Sequence, residues 1–184
     1  MEPQVRPGCL LIASPTLRDP NFSRTVVLLC EHGDEGSMGL VINRPTEHTL
    51  AEAISEMPPR ATQRLYWGGP VQQQLVLVLH RSSLDAPGST EIVDGMALGS
   101  DSEALYEVLD AHDADGRVRV FCGYAGWSAG QLDAEMEVRS WIVGPGRAKL
   151  VFGVDAEQIW HEALRALGPR YAWLATMPAD PRVN

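Results

Sequence analysis

Arg117–Trp141 reads R-V-R-V-F-C-G-Y-A-G-W-S-A-G-Q-L-D-A-E-M-E-V-R-S-W, and its change of character halfway along governs how the whole chain is read. The apolar run through Tyr124 predicts a central strand, Gly123–Trp127 a glycine-dense turn, and Gly130–Arg139 an acidic helix. A junction of that kind gathers exposed backbone N–H groups and an aromatic side chain at one spot, as many ligand sites do.

Upstream, short runs rich in Val, Ile and Leu predict strands at Gly8–Ala13, Thr25–Glu31 and Met38–Asn43, with Glu31–Ser37 as a hairpin loop and Pro45-Thr46 as a stop. Thr49–Met57 has the spacing of an amphipathic helix ended by Pro58-Pro59. Leu65–Trp67 runs into Gly68-Gly69-Pro70, and Leu75–Arg81 follows as a strand. Thr90–Val93 and Met96–Leu98 flank Asp94-Gly95, a hairpin turn signal. Ser100 and Glu103 form a capping box ahead of a helix burying Leu105, Val108 and Leu109. Downstream, Trp141–Val143 and Ala148–Phe152 are expected as strands, and Asp155 as the cap of a last helix with Ile159, Ala163, Leu164 and Leu167 inside and Gly168-Pro169 as its stop. The sum is a mixed α/β (α+β) single compact domain over 1–184, with a curved, partly antiparallel sheet of roughly seven to nine strands and about four helices. The proline-rich tail 177–184 is expected to be loosely held.

Composition narrows the function classes. With 45% apolar and 21% charged residues the chain reads as globular, and no apolar run approaches the about 20 residues of a membrane span. The start, M-E-P-Q-V-R, carries no leader signature, so a cytoplasmic location is expected. Net charge is −9, and the arginines are scattered among 24 acids, which counts against direct DNA binding. Lys149 is the only lysine, and no phosphate-loop pattern occurs. Cys9, Cys30 and Cys122 lie apart in apolar runs, reading as core rather than as a redox or zinc motif.

Three polar or glycine-marked turns follow apolar strands: Asn43-Arg44-Pro45, Gly68-Gly69-Pro70-Val71 and Gly123–Trp127. In open α/β sheets such turns converge on ligands. The candidate site is therefore Asn43, Arg44, Gly68, Gly69, Gly123, Tyr124, Gly126, Trp127 and Gln131. Arg44 would offer a forked cation to a carboxylate or phosphate, the glycines close backbone approach, and Trp127 an aromatic wall.

Together these residues resemble the AlgH/YqgE family of bacterial proteins. The resemblance runs from Ala13-Ser14-Pro15-Thr16-Leu17-Arg18-Asp19-Pro20-Asn21-Phe22 through Glu31-His32 and Gly36–Pro45, then Gly68–Val71, Gly123–Trp127, Gly130-Gln131-Leu132, Trp141, Phe152 and Trp160. It implies a compact single α/β domain, and the label of transcriptional regulator travels with the family. Nothing in the chain resembles a helix-turn-helix. Asp133 and Arg139 depart from the pattern, where Glu and Gly are expected.

Sharper chemistry has weaker support. Gly126–Gly130 matches G-x-S-x-G, but the oxyanion loop of a hydrolase is missing and His161, the only downstream histidine, falls within a helix, so the match is read as coincidental. Glu135 could serve as a base or an Arg44 partner, or could tie its helix to the preceding turn, and Gln131 shares its face. The histidines, His32 and His80 among them, are dispersed without metal-ligand spacing, so neither metal nor cofactor is expected. The expected role is a binding or regulatory module for a small anionic ligand or a partner protein. The rival readings are an enzyme on a phosphorylated or nucleotide-like molecule, and a thiol-based redox responder.

Overall fold

The computed structural model describes residues 4–55, 57, 61–84, 88–93, 95–99 and 117–178. Ten strands form one curled sheet: β1 (Cys9–Ala13), β2 (Val26–Gly33), β3 (Gly36–Val41), β4 (Pro45–Thr49), β5 (Arg64–Trp67), β6 (Val71–His80), β7 (Thr90–Val93), β8 (Met96–Gly99), β9 (Val118–Ser128) and β10 (Trp141–Pro145). The main order is β10-β1-β2-β3-β9-β6-β8-β7, with β5 lying between β4 and β9. Every pairing is antiparallel except β5 with β9. The curl brings the sheet's ends together, for a Cβ on Gly8, just before β1, would lie 2.5 Å from the Cβ of Val93 at the end of β7. Five α-helices accompany the sheet among the described residues: α1 (Leu50–Ala53), α2 (Gln131–Glu137), α3 (Ala148–Gly153), α4 (Ala156–Ala166) and α5 (Pro169–Ala172), followed by a 3-10 turn at Trp173–Thr176. Among the described residues no helix is long and apolar enough to cross a membrane.

The uninterrupted apolar runs of β1 and β2 follow from burial on both faces. Leu10, Ile12 and Leu28 face inward with Leu40, Phe121 and Trp160 beneath α3 and α4. Their neighbours Leu11, Val27 and Val41 face the other way, with Trp127, Trp141 and Leu132 of α2. A third cluster, Leu50, Leu65, Val78 and Val120, lies under α1. Each fully buried Leu or Ile contributes about 1.5–3 kcal/mol, so the two-faced strands anchor the fold.

Several expectations need correction. The loop expected at Glu31–Ser37 shrinks to Asp34-Glu35, because Glu31, His32 and Ser37 extend the ladder. β3 ends ahead of Pro45-Thr46 as expected, but Pro45 then opens β4; as the first residue of a strand it loses little by lacking an N–H. The Thr49 helix spans one turn, α1, opened by a capping box between Thr49 and Glu52. Ala148–Phe152 is helix, the first five residues of α3, and the helical turn puts Val151 and Phe152 into the core. Asp155 occupies the N-cap of α4 without a side-chain cap bond; α4 ends ahead of Gly168-Pro169 as expected, and Pro169 then starts a further helix, α5. The tail's first residue, Met177, accepts a hydrogen bond from the Arg24 guanidinium through its carbonyl. Pro58-Pro59, Asp94, the Ser100 helix and residues 179–184 lie outside the described residues.

Candidate functional site

The main difference from the sequence reading lies in Gly123–Trp127, which is not a turn. β9 runs unbroken to Ser128, pairing β3 through Gly39↔Ala125 and Ser37↔Trp127. Gly123, at φ 68°, shifts the strand's phase, so that Tyr124 joins the face of Phe121 while Ala125 and Trp127 enter the opposite core. At Cys122, β9 is paired with Trp67 of β5 on one side and Val76 of β6 on the other. The link Gly68–Pro70 must therefore pass over β9. A Cβ on Gly68 would lie 2.2 Å from the Gly123 carbonyl oxygen, and one on Gly69 2.0 Å from the carbonyl carbon of Tyr124. These glycines do permit close backbone approach, but the approaching partner is another strand.

The three predicted segments are thus brought together, with the space among them filled by backbone. Trp67 N–H donates to the Arg44 carbonyl (2.8 Å), Val41 N–H to Gly68 (2.9 Å) and Gly68 N–H to Cys122 (2.8 Å). Asn43 is a clamp: its Oδ1 accepts from Val26 N–H (2.8 Å) and its Nδ2 donates to the Arg24 carbonyl (2.9 Å). Arg44 donates to the Ser23 carbonyl (2.7 Å) and lines a shallow recess of about 340 Å³ with Asn21 and Trp67. Tyr124, Gly126 and Trp127 line a separate open recess of about 580 Å³ with Glu35 and Leu75.

Trp127, expected as a ligand wall, is 5% exposed and belongs to the core. Its indole N–H donates to Glu135 Oε2 (3.0 Å), as does that of Trp141 (2.7 Å), while Gln131 Nε2 donates to Oε1 (3.0 Å). Gln131 also accepts from Ser128 N–H (3.1 Å) and Oγ (3.2 Å), tying α2 to the strand end. Ser128 closes β9, the turn Ala129-Gly130 leads into α2, and α2 packs on the face opposite α4, which carries His161. His80, 1% exposed, is held by the Arg81 carbonyl (2.9 Å) and Ser89 Oγ (2.8 Å), and His32 by Ser37 Oγ (2.8 Å). Among the described residues no three His, Cys, Asp or Glu side chains form a metal-holding group. Burial pushes the thiols of Cys9 and Cys122 up, and that of Cys30 up to about 12, opposite to a reactive thiolate.

Sequence reasoning missed Arg119. It stands at the start of β9, at the same phase as Phe121, pointing a guanidinium inward, and is 8% exposed. It donates to the carbonyls of Ile42 (2.7 Å), just past β3, and Val154 (3.2 Å), between α3 and α4, and its Cζ lies 4.8 Å from the Tyr66 ring centroid. Burial lowers its pKa, yet an arginine stays charged. Among the described residues no carboxylate forms an ion pair with it. Arg119 lines a cavity of about 550 Å³ with Gln63, Arg64, Tyr66 and the start of α4 at Asp155–Glu157. Gln63 Oε1 is buried there without a hydrogen-bond partner. The available signal was a charged residue in register with the inward side chains of a predicted central strand.

Comparison with known proteins gives a consistent picture. The sequence profile described as AlgH-like matches residues 10–172. A UPF0301 protein of Chlorobaculum tepidum is 42% identical, covering 98% of this chain and 96% of its own. A UPF0301 protein of Xanthomonas oryzae pv. oryzae is 38% identical over 86% of this chain and 87% of its own. The solution structure of the AlgH protein from Pseudomonas aeruginosa matches with a TM-score of 0.75 at 34% identity, covering 96% of this chain and 98% of that one. A crystal structure of a protein from Corynebacterium diphtheriae reaches a TM-score of 0.80 at 24% identity over 96% and 95% of the two chains, a likeness of fold.

Proposed function

The chain belongs to the AlgH-like family, and from that premise we propose that it works as a binding module whose small anionic ligand enters the Arg119 cavity. The observation that carries this reading is a buried guanidinium facing that cavity with two neutral carbonyl acceptors and, among the described residues, no ion-pair partner. A purely structural staple between β3 and the α3–α4 junction would also explain the two carbonyl bonds. It would leave a desolvated charge without an ion-pair partner among the described residues, which is costly unless an anion completes the site. The N-terminus of α4 opens on the same cavity and adds a favourable dipole. Asp155 and Glu157 at that end oppose highly charged species, which favours a single carboxylate over a polyphosphate.

Regulation fits this geometry. An anion that draws on the Arg119 guanidinium competes with the carbonyls of Ile42 and Val154, so occupancy is felt at the end of β3 and the start of α4. A partner protein reading either segment would sense the ligand.

Thermal unfolding against carboxylates, phosphate and nucleotides tests the site. A ligand at about 100 times its Kd adds roughly 2.7 kcal/mol, visible as a raised Tm. The expected result is a carboxylate-induced rise that Arg119→Met abolishes and Arg44→Ala leaves intact. A rise lost in Arg44→Ala but kept in Arg119→Met would move the ligand to the Asn21–Arg44 recess.

A further inference from the structure

We infer that the apolar cavity between α4 and strands β1 and β10 is a second binding site, taking a short acyl chain that ends in a carboxylate. The cavity holds about 230 Å³. Leu10 and Ile12, 1% and 0% exposed, line it from the sheet, Leu150 and Ala163 from the helices, and Val154 from between them. Space exists because the facing positions carry Gly144, Ala163 and Ala166, where larger side chains would close it. Empty apolar space forfeits dispersion contacts and does not hold water well, so an apolar occupant is favoured. The volume is below the roughly 300–1,000 Å³ of drug-sized sites. At about one water's share of 30 Å³ for each methylene-sized unit, it takes on the order of eight such units.

The head group follows from the mouth. Arg147 and Lys149, the chain's one lysine, line the cavity and are exposed. Among the described residues neither forms an ion pair. Glu162, the acid at the same cavity, is engaged by Arg165 at 2.6 Å. The charge left over is positive, which suits a carboxylate. This cavity shares only Val154 with the lining of the Arg119 cavity, so the inference stands apart from the anion site.

Titration of the full chain with octanoate and with octanol, followed by methyl NMR, tests it. Octanoate is expected to shift the methyls of Leu10, Ile12 and Leu150 saturably. The double change Arg147→Glu with Lys149→Glu should weaken octanoate tenfold or more and leave octanol unchanged. Ala166→Trp, at an exposed position of the lining, should block both, with Ala163→Val as a milder filling should that variant fail to fold. Absence of saturable shifts, shifts confined to other methyls, or equal weakening of octanoate and octanol by the charge reversal would overturn the proposal.

Discussion

Glu135 and Arg119 are ionisable side chains drawn into opposite faces of one sheet, and their surroundings differ in completeness. The Glu135 carboxylate receives two indole N–H groups and the Gln131 amide, so its acceptor sites are met within the described chain. The Arg119 guanidinium meets two carbonyls and a tyrosine ring, and among the described residues has no ion-pair partner beside its cavity. A buried charge with its partners in place is architecture, whereas one left open is where a ligand can contribute binding energy. In this chain the expected site residues Trp127 and Gln131 belong to the first kind of place, joined to Glu135.

The largest expected effect tests the closed side. Trp127→Ala should cost about 3–5 kcal/mol by chemical denaturation, while any carboxylate-induced rise in Tm survives. A lost ligand response in a folded Trp127→Ala protein would couple the two faces. Gly123→Ala comes next, since its Cβ would meet the Gly69 carbonyl oxygen at 2.6 Å at a positive φ. Overpacking and the left-handed backbone together should cost about 2–4 kcal/mol in the same assay. A neutral result would remove the strand crossing as a tight constraint.

Two conservative changes sharpen the comparison. Glu135→Gln turns one acceptor into a donor facing Gln131 or an indole, and should cost about 1–2 kcal/mol without altering ligand response. Arg119→Met frees two carbonyls but removes a desolvated charge, so unliganded stability should change by only about 1 kcal/mol in either direction. A destabilisation as large as that of Trp127→Ala would make Arg119 a staple first. The smallest effect concerns pH. The unfolded Cys30 thiol ionises near 9.0, while the folded one holds its proton to about 12. Its contribution is therefore whole below pH 9 and is lost as pH rises toward 12. The stability advantage of the wild type over Cys30→Ala should shrink across that window in denaturant titrations.

Much of the fold was legible. The double-faced runs of β1 and β2, the hairpin of β7 and β8, and the Ile159–Leu164 stripe of α4 could be read because burial imposes its period on the residues directly. The motifs along Ala13–Trp160 also pointed to the family that the chain matches. Ala148–Phe152, expected as a strand, is helix: a short apolar run fits either, and only the packing of Val151 and Phe152 into the core distinguishes them. The glycines at 68, 69 and 123 were legible as points of close approach, but not what approaches, because that depends on β5 and β6 flanking β9. The sequence by itself determined the layers, the buried faces and the kinship, since these follow from local pattern and spacing. Only the tertiary structure decided that Trp127 is core and Arg119 faces a cavity, because the compensation of a buried charge depends on groups far apart in the chain.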